Sequence, residues 1–315
     1  MFGELKIFSG NANKPLAEAI CKNAGVELGN CEILKFSNDN IKVAYKESLR
    51  GKDVYIIQPS GIPVNEGLME LLIMLDAAKH ASACRITAVV PYFPYVRSDK
   101  KDQPRISITA KLVADLLKTA GADRVMTMNL HSAQIQGFFD IPCDHLLADK
   151  ILRHHCITDG IENSVVVAPD AGSAKHAGKQ AKLLGIPMAI LDKRRSDDTE
   201  SPVMENIIGD VKGKKALIFD DEVASAGSLI EAAEVLEKNG AKEIVAYCVH
   251  GVLSGNAIER LNNSKVKKLV VTDSVYISPD KKCDKLEIVT VADLFAKVIT
   301  YTNNGQPISN LYNGG

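Results

Sequence analysis

The sequence predicts an α/β protein built on mainly parallel sheets. Three observations carry that expectation: short β-branched runs recur, amphipathic helical stretches separate them, and Gly, Pro and Asn punctuate the joins. In the first half, strands are expected at 5–9, 32–36, 53–58, 85–90 and 124–129, and helices near 15–23, 66–80 and 107–120. In the second half, strands are expected at 164–168, 187–191, 215–219, 243–250 and 268–272, and helices near 173–184, 228–239 and 256–262. The halves share an order of elements, and 315 residues exceed what one core usually reaches. Two domains are therefore expected, 1–147 and 148–315, with the C-terminal tail free to return to the first. Residues 91–105, 192–202 and 275–285 lack regular patterning, and loops of that length in compact domains tend to be functional.

Hydrophobic residues make up 46% of the chain and charged residues 24%, with a formal net charge of -1. That balance argues against disorder and against a generally basic nucleic-acid binder, so any anion site is local. The apolar runs fall short of the ~18–20 residues a membrane span needs, and residues 1–6 show no secretory pattern. A cytoplasmic protein without a membrane partner is the expectation. Seven scattered cysteines with no C-x-x-C spacing support neither a disulfide framework nor a zinc knuckle, and read as reduced thiols.

The most informative stretch is Ala216-Leu217-Ile218-Phe219-Asp220-Asp221-Glu222-Val223-Ala224-Ser225-Ala226-Gly227-Ser228. A buried strand delivers two acids to its C-terminal edge, and a loop of small residues leads into a helix N-terminus, where backbone N–H groups and the helix dipole favour a phosphate. Ser225 and Ser228 add hydroxyl donors, and Gly227 lets the backbone approach the anion closely. Carboxylates beside a phosphate cradle suit a ligand with hydroxyls next to its phosphate, such as ribose 5-phosphate. The competing reading is a helix capped for stability alone.

Lys193, Arg194 and Arg195 follow an apolar strand and can neutralise charge developing on a transferred phosphoryl group, unless they are a solvated charge run. A second basic loop begins at Arg97 and Ser98, beside the aromatic run Tyr92-Phe93-Pro94-Tyr95, which either holds a base or packs the loop. His131 and Asp170 each follow an expected strand, and magnesium needs only one or two protein ligands when phosphate oxygens and water complete its shell. The stretch Gly172-Ser173-Ala174-Lys175-His176-Ala177-Gly178-Lys179 imitates a phosphate-binding Walker loop but has five residues between its glycines and Gln180 where Ser or Thr is needed. It is set aside, and no G-x-G-x-x-G follows a strand.

Taken together, these residues resemble the ribose-phosphate pyrophosphokinase (phosphoribosyl diphosphate synthetase) family over nearly the entire chain. The matching strings include Lys35-Phe36-Ser37-Asn38, Met69-Glu70-Leu71-Leu72-Ile73-Met74, Phe93-Pro94-Tyr95, Gln134-Ile135-Gln136-Gly137-Phe138-Phe139-Asp140-Ile141-Pro142, Pro169-Asp170-Ala171-Gly172 and Gly209-Asp210-Val211. The resemblance implies two phosphoribosyltransferase-like domains, the first on the ATP side and the second on the ribose 5-phosphate side, in a homo-oligomer commonly built on hexamers. It implies transfer of the β,γ-diphosphoryl group of MgATP to the C1 hydroxyl of ribose 5-phosphate, giving 5-phosphoribosyl 1-diphosphate and AMP.

Carried over by position, Asp220, Asp221 and Ala224, Ser225, Ala226, Gly227 and Ser228 hold ribose 5-phosphate, while Lys193 and Arg195 stabilise the transition state. Phe36, Asn38 and Asn40 contact adenine from a neighbouring subunit, Arg97 and Ser98 complete the ATP site, and His131 and Asp170 bind Mg2+. Ser48, Arg50 and Gln136 match positions tied in the family to phosphate activation and ADP inhibition. The family usually has Asp where Ala224 stands, Thr at Ser225 and Ser228, Glu at Asn40, Gln at Ser98 and Asp at Asn129. Two other readings compete: a non-catalytic regulatory subunit of the same family, and a phosphoribosyltransferase that consumes the same diphosphate.

Overall fold

In the computed structural model, which describes residues 3–192, 206–281 and 283–311, the buried runs form two separate, mainly parallel sheets. The first half carries β1 (Leu5–Ser9), α1 (Lys14–Ala24), β2 (Cys31–Lys35), β3 (Ile41–Tyr45), β4 (Asp53–Ile57), α2 (Val64–His80), β5 (Arg85–Val90), α3 (Thr109–Ala120), β6 (Arg124–Met128) and β7 (Cys143–Leu146). The second carries α4 (Asp149–Thr158), β8 (Ser164–Ala168), α5 (Ala174–Leu184), β9 (Met188–Asp192), β10 (Asn206–Ile208), β11 (Lys215–Val223), α6 (Gly227–Lys238), β12 (Glu243–Gly251), α7 (Ala257–Asn263), β13 (Lys268–Thr272) and β14 (Leu286–Val289), before α8 (Ala292–Asn303). The backbone divides into one unit of Met1–Ala148, Ser274–Tyr276 and Thr290–Gly315 and another of Asp149–Asp273 and Ile277–Val289.

In the first unit the sheet order is β1-β4-β5-β6-β7, with every pairing parallel. All five residues of β4 are buried, as expected of a strand covered on both faces. Helix α1 starts where the Asn13 side chain accepts the Leu16 N–H at 3.3 Å and Pro15 fits the first turn, and it stops at Gly25, whose φ of 69° suits the left-handed position. Phe8, Val54, Ile56, Leu75, Val90 and Leu117 belong to the core between sheet and helices. β2 and β3 form a separate antiparallel ribbon.

The second unit's sheet runs β10-β9-β8-β11-β12-β13-β14, parallel except for β10 against β9. β11 lies at its centre, between β8 and β12. The strand also runs further than the sequence suggests: the expectation ends it at 219, whereas pairing continues with Asp220 opposite Cys248, Glu222 opposite His250 and Val223 opposite Gly251. The acids therefore lie within the strand instead of following it, because a neighbouring strand of equal length offers them backbone partners.

Helix α8 returns to the first unit and packs against α1. A buried polar network anchors it. Arg85 donates from Nε to Asp53 Oδ1 at 2.8 Å and from Nη2 to Oδ2 at 2.5 Å, while Asn303 Nδ2 donates to the same Oδ2 at 2.8 Å. Arg85 also donates to the Thr302 carbonyl at 3.2 Å, so strand starts and the final helix share one carboxylate. Asp53 is fully buried. Asp53→Ala is expected to destabilise the protein by about 3–5 kcal/mol, because it leaves a mostly buried guanidinium without its carboxylate; a denaturant midpoint equal to that of the parent chain would show the network to be dispensable.

Candidate active site

Parallel strands bring their C-terminal ends to one edge of a sheet, which is where open α/β sheets bind ligands. At that edge of the second unit, the Asp221 N–H donates to Asp220 Oδ1 at 2.8 Å. Burial pushes the Asp220 carboxyl well above the usual carboxylate range, and the adjoining Asp221 carboxyl and the charge of Asp170 push it the same way. Asp170 follows β8 on the exposed rim, where its Oδ1 accepts the Ser173 N–H at 2.8 Å. Three acids thus converge electrostatically.

The loop after β11 is strapped from behind. The N–H groups of Val252 and Leu253 both reach the Val223 carbonyl at 3.1 Å, the Ser254 N–H reaches the Ala224 carbonyl at 3.0 Å, and Arg260 Nη1 reaches the Ser225 carbonyl at 3.4 Å. Ala226 is held at φ 61°, in the left-handed region, and precedes α6. It carries no acceptor, and no side-chain cap forms on this helix among the described residues, so the stability-cap reading of the sequence finds no capping oxygen here. A Cβ on Gly227 would lie 3.7 Å from Ser225 Oγ and 3.8 Å from Arg260 Nη1, ordinary contacts, so the protein itself leaves room there.

A residue missed by sequence reasoning completes this edge. His176, in the first turn of α5, has Nε2 at 2.5 Å from Asp149 Oδ1, and Gln180 Nε2 donates to that same oxygen at 2.5 Å. Arg153 Nη1 in turn donates to Gln180 Oε1 at 3.1 Å. Asp149 raises the proton affinity of His176, and the charges of Asp220 and Asp221 raise it further. The sequence signal lay in the Walker-like stretch set aside above; the partner that gives it meaning lies on another helix.

Comparison with known proteins follows the same outline. A family model described as the N-terminal domain of ribose phosphate pyrophosphokinase matches residues 5–121, and one described as a phosphoribosyl synthetase-associated domain matches residues 198–313. Ribose-phosphate pyrophosphokinase of Corynebacterium ammoniagenes is 50% identical over 309 residues, covering 98% of this chain and 97% of the relative. The protein of that name from Deinococcus radiodurans is 49% identical over 314 residues, covering 98% of each chain. The chain belongs to the ribose-phosphate pyrophosphokinase family. A crystal structure of phosphoribosylpyrophosphate synthetase from Mycobacterium smegmatis superposes with a TM-score of 0.90 at 40% identity, covering 96% of this chain and 99% of that one. Matches spanning both halves disfavour a phosphoribosyltransferase.

The remaining residues singled out by the pyrophosphokinase resemblance occupy several elements. Phe36, Asn38 and Asn40 are exposed on the turn of the β2–β3 ribbon, which closes by a Phe36 N–H to Asn40 carbonyl bond of 2.8 Å. Arg97 is exposed in the loop after β5, and the Ser98 N–H closes a turn onto the Tyr95 carbonyl at 2.8 Å. The first turn of α2 ties both segments down: Glu66 accepts Lys35 Nζ at 2.8 Å, and Asn65 accepts the Tyr95 hydroxyl. His131 is exposed after β6, the strand beside β5. Ser48, Arg50 and Gln136 are also exposed, with Gln136 Nε2 donating to the Ala133 carbonyl at 3.0 Å. Lys193 and Arg195 lie outside the described residues. No helix among the described residues is long and apolar enough to cross a membrane.

The folded chain holds the Asp220 proton more tightly than the unfolded chain does, so stability falls as pH climbs above the ordinary carboxylate range toward the raised value. Asp220→Asn should therefore stabilise the ligand-free protein by roughly 1–3 kcal/mol near pH 8 and leave it almost unchanged near pH 4. Denaturant melts at the two pH values check this, and an equal effect at both would remove the buried charge as the cause.

Proposed function

We propose that the chain is a ribose-phosphate diphosphokinase: it transfers the β,γ-diphosphoryl group of MgATP to the C1 hydroxyl of ribose 5-phosphate for nucleotide biosynthesis. The observation that carries this reading is the second unit's strand edge, where two adjacent carboxylates precede an uncapped helix start within a strapped loop. The family relationship across both halves supports it.

In this reading Asp220 and Asp221 accept hydrogen bonds from the ribose hydroxyls, and the backbone and serine hydroxyls of Ala224–Ser228 hold the 5-phosphate. The C1 oxygen forms a bond to the β-phosphorus as the bond from that phosphorus to the α-bridging oxygen breaks; AMP departs on that oxygen, and the proton of the C1 hydroxyl is released to solvent. Lys193 and Arg195 offset the charge that develops on the transferred group. Phe36, Asn38 and Asn40, supplied by a neighbouring subunit of a hexameric homo-oligomer, contact adenine, and Arg97 with Ser98 completes the ATP site.

His131 and Asp170 would hold the magnesium that accompanies ATP, which would neutralise phosphate charge there, and the donors fit that arrangement. No group of three or more His, Cys, Asp or Glu suited to a metal cage occurs among the described residues, while Asp170 and His131 each present one exposed donor. A cation held mainly by phosphate oxygens and water needs no more. Ser48, Arg50 and Gln136 are proposed as an allosteric phosphate and ADP site.

Incubation with MgATP and ribose 5-phosphate should yield AMP and phosphoribosyl diphosphate in equal amounts, followed by chromatography. Ribose 5-phosphate binding without either product would favour a regulatory subunit instead. Gly227→Val should weaken ribose 5-phosphate binding at least tenfold or so by occupying the anion's space, since the protein leaves ordinary room for a Cβ there. Unchanged affinity in a folded variant would take the phosphate away from this loop.

A further inference from the structure

The segment 172–179 fails as a phosphate loop, yet it places an imidazole at the same sheet edge as the acid pair. Helix α5 packs on β8 and on β11, so its first turn rises beside the C-terminal ends of both strands. There His176 is fixed from α4 by Asp149 at 2.5 Å, and Gln180, fully buried, locks that carboxylate from the next turn. We propose that His176, braced by Asp149, is a positioning residue of the ribose 5-phosphate site: its imidazolium offsets the negative charge that the Asp220–Asp221 pair shares and keeps the pair available to accept the ribose hydroxyls. The inference rests on the ribose 5-phosphate reading given above.

The charges around this imidazole come from three elements. α4 supplies Asp149 and, through Gln180, Arg153; β11 supplies Asp220, itself under the charge of Asp170 after β8, and Asp221; and α5 carries Lys175 and Lys179, both exposed. β9 meets the helix at Gly178 with the uncharged Met188. Acids predominate around the ring, and the first of them, Asp149, bonds directly to it. The proton is therefore held more tightly than by a free imidazole, and the cation is present at low pH and lost as pH rises through the raised value. A general base would behave in the opposite sense, gaining function as its proton leaves.

Ribose 5-phosphate affinity of the full chain, measured by calorimetry from about pH 6 to about pH 9.5, tests this, with the ligand's own phosphate titration cancelling in variant-to-parent ratios. His176→Gln should bind about tenfold more weakly than the parent at the acid end, with the ratio approaching one at the alkaline end. His176→Arg, which stays charged, should match the parent at the acid end and exceed its affinity by about tenfold at the alkaline end. Asp149→Asn should move the parent's alkaline loss of affinity to lower pH, because the bracing carboxylate is gone. A His176→Gln ratio that does not change with pH, or a His176→Arg variant that loses affinity alongside the parent, would overturn the assignment. Circular dichroism of each variant identifies misfolding, and Asp149→Asn then decides independently: an unmoved alkaline loss overturns the proposal. A parent chain that binds no ribose 5-phosphate at any pH overturns the underlying reading itself.

Discussion

Two neighbouring, partly buried carboxylates near the end of a central strand are the constraint around which the second unit's strand edge is arranged. Removing a carboxylate from water disfavours its charge, and a second acid beside it disfavours that charge again. The surroundings of Asp220 and Asp221 compensate piece by piece. A backbone N–H donates to Asp220, the charge of the pair is felt by the braced His176, and the helix that follows directs its positive end toward the same edge. What remains uncompensated shows as a proton that the folded chain holds more tightly on Asp220.

Parallel pairing determines where these groups meet. In the second unit β8 and β11 deliver Asp170 and the acid pair to one edge, and α5 rises from there with His176. The first unit repeats the device: the loop after β5 carries Arg97 and Ser98, and the one after β6 carries His131, with the Met128 N–H bonded to the Pro91 carbonyl at 3.2 Å across the two strands. The β2–β3 ribbon stands apart from that sheet, and the ties through Asn65 and Glu66 bring it and the Arg97 loop onto one helical turn.

Strands buried on both faces were legible because their apolar runs are continuous: β5, β8 and β13 fall at the expected residues. Elements with a polar share of the pattern were not. β7 contains Asp144 and His145, and only the fold reveals that Arg124 satisfies Asp144 at 2.7 and 2.8 Å. α4 carries His154 and His155 within a weakly apolar face, β10 has three residues, and β14 is half-exposed at a sheet edge. At the site, the acid pair and the small-residue loop were readable from local chemistry. His176 was not, because its partner Asp149 lies 27 residues away and its own segment carries only an imperfect phosphate-loop pattern.

The same geometry bears on the alanine that stands where the family usually has aspartate. The loop is held through the Ala224 carbonyl, which accepts the Ser254 N–H, and through the carbonyls of Val223 and Ser225. None of these contacts requires a side chain at 224, so the cradle's shape is independent of the residue there. What alanine changes is charge: the edge carries one carboxylate fewer than aspartate would bring. With less negative charge to offset, the counter-charge proposed for the braced imidazole concerns Asp220 and Asp221, while Glu222 on the same strand is buried opposite His250.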